Sequence, residues 1–85
     1  MAYEVKLTPT AENDLSKFDQ ELQRRFFKKI EKLKEYPDIY GKPLKYDFAG
    51  KWELRFEKRW RIIFNINQKN KQVEIEAIWH KDDFR

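Results

Sequence analysis

The chain has 85 residues, enough for one small domain spanning 1–85 that buries only ~60% of the surface its unfolded form exposes. With no cysteine and one histidine, it offers no disulfide framework, no thiol nucleophile and no basis for an imidazole-built metal site. Nineteen Lys and Arg face fifteen Asp and Glu, and the excess of +4 falls wholly in residues 41–85, which carry 11 against 7.

Tyr3 to Thr8 alternates apolar and polar residues and predicts a strand. Thr8-Pro9-Thr10 signals a helix start, because a threonine oxygen accepts an orphan amide and proline fits the first turn. Ala11, Leu15 and Phe18 recur at helical spacing through a short helix. Asp19 is placed to cap a second, longer one, in which Leu22, Phe26, Ile30 and Leu33 form the apolar stripe and Phe27 widens it. Its outward positions Arg24, Arg25, Lys28, Lys29, Lys32 and Lys34 are basic. Tyr36-Pro37-Asp38 ends that helix, since a residue before proline avoids helical dihedrals.

From Gly41 the pattern becomes alternating. Gly41-Lys42-Pro43 and Ala49-Gly50 bracket a connection, and three strands follow, over 51–57, 60–66 and 73–79. Strict alternation puts Trp52, Leu54, Phe56, Trp60, Ile62, Phe64, Ile66, Val73, Ile75, Ala77 and Trp79 on one face. Short polar turns at Lys58-Arg59 and 68–71 make antiparallel hairpins the simplest connection. The order strand, helix, helix, three strands predicts an α+β layer: an antiparallel sheet with a helical hairpin on one face. On that parity all three tryptophans are core anchors rather than base-stacking platforms.

The same alternation sends Lys51, Arg55, Arg61 and His80 to the second face, together with Glu53, Glu57, Glu74 and Glu76. Two readings stand there: a salt-bridged sheet surface, or a concavity that binds anions. Ser16 has no histidine near it in the pattern, and two glycines cannot build a phosphate-cradling loop. No apolar run is long enough to span a bilayer, and Met1-Ala2-Tyr3-Glu4-Val5-Lys6 lacks the apolar stretch of a secretory leader. A cytoplasmic chain with no membrane association is expected.

The element order, Pro43-Leu44-Lys45, Gly50-Lys51-Trp52-Glu53-Leu54-Arg55, Trp60-Arg61-Ile62-Ile63-Phe64 and the ending Ile78-Trp79-His80-Lys81-Asp82-Asp83-Phe84 resemble the RelE/ParE superfamily of bacterial and archaeal toxins over nearly the whole chain. That resemblance implies a ribonuclease needing no metal and no cofactor, which cuts mRNA in the ribosomal A site and is inhibited by a cognate antitoxin. The 2′-hydroxyl attacks the adjacent phosphorus, and fixed guanidinium groups stabilise the charge gathered on the phosphoryl oxygens. It implies Arg61 for that stabilisation and Lys51 for proton transfer or charge stabilisation. It also implies His80 as general acid or base; Glu53 departs from the pattern, standing where RelE has a second lysine, and two readings stand for it, a carboxylate base or a partner of Arg55. Lys45, Arg55, Arg59 and Lys81 would hold RNA backbone, and Phe84 would take the place of a base-stacking tyrosine. An acidic, partly helical antitoxin segment would suit the basic second helix. The competing expectations are a ParE-like inhibitor of DNA gyrase that cuts no RNA, and a non-catalytic antitoxin-binding module.

Overall fold

The computed structural model describes residues 2–83. The chain opens with β1 (Glu4–Leu7), α1 (Pro9–Ser16) and α2 (Gln20–Ile30). Both predicted caps form: the Ala11 amide donates to the Thr8 hydroxyl at 3.1 Å and the Leu22 amide to the Asp19 carboxylate at 2.8 Å. The second helix is shorter than its pattern suggests. After Ile30 it tightens into a 3-10 turn (Glu31–Lys34), and Pro37 then starts a further short helix, α3 (Pro37–Tyr40).

The bracketed connection contributes a two-residue strand, β2 (Lys42–Pro43), and a 3-10 turn at Tyr46–Phe48. Three long strands follow: β3 (Trp52–Phe56), β4 (Trp60–Asn67) and β5 (Gln72–His80), with a last 3-10 turn at Lys81–Asp83. They build one five-stranded sheet in the order β1-β5-β4-β3-β2. Strands β3, β4 and β5 are antiparallel as expected, and β2, expected only as connection, adds antiparallel to β3, whereas β1 joins β5 in parallel, because both helices intervene and carry the chain back to the same end. Gly41 is required where the chain leaves α3, since a Cβ there would overlap the Phe64 ring.

The helices cover one sheet face and enclose Phe26, Ile30, Leu33, Leu54, Phe56, Ile62, Phe64, Val73, Ile75 and Ile78. Trp52 and Trp60 pack against this core, the latter with its ring 5.0 Å from that of Phe18. The alternation expected of β5 fails halfway along. Ile63 lies opposite Ala77 and Phe64 opposite Ile75, so Glu76 has no counterpart on β4 and forms a β-bulge. Every residue after it changes face. Ile78 joins the core, whereas Ala77 and Trp79 move to the second face, Trp79 directly opposite Arg61. His80, expected beside the cations, instead pairs with Trp60 on the helix side, their rings edge to face at 5.2 Å.

The bulge is held by α1 and its cap. Strand β1 pairs with β5 only as far as Ile75. Beyond that point the Thr8 hydroxyl donates to the Glu76 carbonyl at 2.9 Å, and the Ile78 amide donates to the Asp14 carboxylate at 3.0 Å. Two side chains thus replace the missing strand partner and satisfy backbone groups that would otherwise be stranded. The second face is not bare either. The 46–48 turn brings Phe48 onto Trp79, ring centroids 5.2 Å apart, and Ile63 and Ala77 are both buried there.

Candidate active site

Pairing across the sheet fixes what this second face displays. Arg55, Arg61 and Trp79 form one line across β3, β4 and β5; Lys42, Glu53, Ile63 and Ala77 form the next. Lys51, just before β3, continues towards Asn65 and Glu74. Arg61 and Glu53 are mostly enclosed, their side chains 16% and 20% exposed. The Arg61 Nε lies 3.9 Å from the Glu53 carboxylate, and its terminal nitrogen donates to the Trp60 carbonyl at 3.1 Å. Glu53 therefore faces Arg61 rather than Arg55, the other arginine within reach on this parity. A guanidinium held by a carboxylate and a carbonyl above a buried apolar bed is fixed in direction, which is what charge stabilisation requires.

Lys51 is organised separately. Its ammonium pairs with Glu76, and the other Glu76 oxygen accepts from the Asn65 amide at 2.5 Å. A carboxylate placed there by the bulge thus sets the position of the lysine. Partial burial pushes the Glu76 carboxyl up, but hydrogen bonds from Lys51 and Asn65, with the charge of Lys51, outweigh it and leave the carboxyl below its ordinary range. A carboxyl depressed in the fold stabilises fully above its unfolded value, about 4.3, and ceases to do so as pH falls through the folded one. The difference in urea midpoint between wild type and Glu76→Gln should therefore be constant above about pH 5 and shrink below about pH 4. A difference that widens on acidification would contradict this pairing.

His80 lies on the helix side of the sheet, away from the face of Arg61. Its Nδ1 is occupied by Asp82, whose amide lies at 3.2 Å and carboxylate at 3.5 Å, so Nε2 is the nitrogen left to exchange a proton. The ring opens into a cleft shared with Asp14, Lys17, Phe18, Trp60 and Ile78. Arg59 and Lys81 meet at the same end of the sheet, where the Lys81 amide donates to the Arg59 carbonyl at 2.8 Å, and both side chains are exposed. Arg55 is exposed beside Arg61, and Lys45 is exposed ahead of the 46–48 turn. Phe84 lies outside the described residues.

The structure thus gathers Arg61, Glu53 and Arg55 on one face with Lys51 further along it, places Arg59 and Lys81 at the end of the sheet, and does not bring His80 onto that face. Asn65 is a participant that alternation alone does not single out. Its signal in the sequence is a polar side chain on the same outward parity of β4 as Arg61.

Residues 5–83 match the family described as the ParE toxin of the type II toxin–antitoxin system parDE. No curated protein matches the chain. Among solved structures, the chain is similar to a chain of the RelBE2 toxin–antitoxin complex of Mycobacterium tuberculosis, with 27% identity and a TM-score of 0.86 over 95% of this chain and 100% of that one. The archaeal RelE–RelB complex of Pyrococcus horikoshii matches at 21% identity and a TM-score of 0.74, over 95% and 97% of the two chains. A RelE mutant of E. coli in the free state matches at 15% identity and a TM-score of 0.82, over 99% and 88%.

Proposed function

Because the chain belongs to the ParE toxin family of type II toxin–antitoxin systems, within the RelE/ParE superfamily, we propose that it is a metal-independent endoribonuclease that cleaves mRNA on the ribosome. The observation that carries this reading is the enclosed Arg61–Glu53 pair on an apolar bed, with Lys51 held on the same face by Glu76. In the proposed reaction the Glu53 carboxylate takes the proton of the 2′-hydroxyl as its oxygen bonds to phosphorus. The bond to the 5′-oxygen breaks and a cyclic phosphate remains. Arg61 neutralises charge on the phosphoryl oxygens throughout. Lys51 supplies charge or the proton for the leaving oxygen, and His80, on the helix side of the sheet, is left out of this step. Lys45, Arg55, Arg59 and Lys81 lie around this centre as backbone contacts, and Phe84 follows shortly after them in sequence. The inhibiting partner is a cognate antitoxin, acidic and partly helical, meeting the cationic surface in the cytoplasm.

The matched family is named for the ParE toxin, so the ParE-like expectation, gyrase inhibition without RNA cleavage, is the one further reading. One pair of assays separates the two. Added to a translating extract, the purified protein should truncate mRNA at defined positions read by primer extension, while DNA supercoiling by gyrase continues. Intact mRNA with arrested supercoiling would overturn the nuclease reading and support the other, and loss of neither activity would leave a binding module.

A further inference from the structure

Among the described residues no strand pairs with the outer side of β3 beyond Glu53, because β2 is only two residues long. A cleft of 260 Å³ opens along that edge, between β3 and the end of α2. Four cations line it from four separate elements: Lys29 of α2, Lys32 of the following 3-10 turn, Lys42 of β2 and Arg55 of β3. Among the described residues none of the four has a carboxylate within ion-pair distance. The neighbouring cations of α2 differ in this respect. Arg24 and Arg25 are tied to Glu21, and Arg25 also to Glu57. The one carboxylate in the cleft, Glu53, is turned to Arg61.

Converging like charges repel, and this chain compensates them elsewhere. Here the compensation is left to a ligand. We propose that the cleft holds backbone phosphates of the RNA strand next to the one that is cut. Arg55 makes the continuity, since it lines the cleft and lies directly across from Arg61. An acidic peptide fits less well. Peptide segments dock by apolar anchors, and of the cleft's apolar lining Leu54 is buried and the Tyr40 ring is covered by the Lys32 ammonium at 5.3 Å. Phosphodiesters need only point charges at intervals. The proposal rests on the nuclease reading for its orientation, but its test does not.

A fully 2′-O-methylated single-stranded RNA has no free 2′-hydroxyl and so cannot be cleaved by this route. Its binding to the full chain is read by fluorescence anisotropy across a salt series. Lys29→Ala, Lys32→Ala and Lys42→Ala combined should lower the slope of log affinity against log salt by about 2, and affinity at 0.1 M salt roughly a hundredfold. The control removes Lys6, Lys69 and Lys71 at the far edge of the sheet and should change little. Equal losses in both triple variants would overturn the proposal, as would an unchanged slope in the first. So would lost binding of polyglutamate with RNA binding intact. If the cleft variant loses RNA affinity while the wild type cuts no mRNA, the cleft stands and the nuclease reading falls.

Discussion

Arg61→Ala is expected to lower mRNA cleavage about 100- to 1,000-fold while leaving the circular dichroism spectrum unchanged. The size follows from the position of the guanidinium. It is held by the Trp60 carbonyl and the Glu53 carboxylate before any substrate arrives, so little reorganisation accompanies charge development on the phosphate. Retention of the fold follows from the same geometry, since Arg61 points to the second face and not into the core formed by Ile62 and Phe64. Arg61→Lys should recover part of the activity, because an ammonium keeps the charge but loses the planar fork that meets two phosphoryl oxygens. In cells, the alanine variant should no longer arrest growth when expressed without antitoxin. Wild-type cleavage by a folded Arg61→Ala protein would remove the centre of the proposed site.

The alternation over 52–56 and 60–66 sufficed to place the core and the Arg61 face, because those strands run without interruption and one face meets the helices. The helix caps were equally legible, since Thr8 and Asp19 act on amides three residues away. What the sequence did not reveal depends on partners far along the chain. Strand β5 reads as continuous alternation from Val73 to Trp79, yet Thr8 and Asp14 hold its backbone from 68 and 64 residues away and stabilise the extra residue. The consequence for the candidate site is direct. His80 leaves the face of Arg61, and Trp79 comes to stand directly opposite the arginine. The basic cleft was hidden for a related reason. Its cations come from elements that only the short β2 brings to one edge, and along the sequence they read as an ordinary solvated helix face.

Losing the Asp14 carboxylate should cost more stability than truncating Glu76, because the first holds the backbone of the bulged strand and the second only a side-chain ion pair. Glu76→Ala removes the Lys51 ion pair, which is partly open to solvent, and should cost at most about 1 kcal/mol. Asp14→Ala leaves the Ile78 amide without its partner, beyond the point where β1 pairs with β5, at about 1.5–3 kcal/mol. That is a large share of the stability of a domain this size, roughly 4–13 kcal/mol. Deleting Glu76 is a different change. It removes the one residue with no counterpart on β4, so β5 alternates strictly and every later residue keeps its face, Ile78 in the core and Trp79 opposite Arg61. Urea unfolding should therefore show a midpoint near wild type for Glu76→Ala and a clearly lower one for Asp14→Ala. Equal midpoints would mean that the Asp14 carboxylate does not hold the strand beyond the bulge.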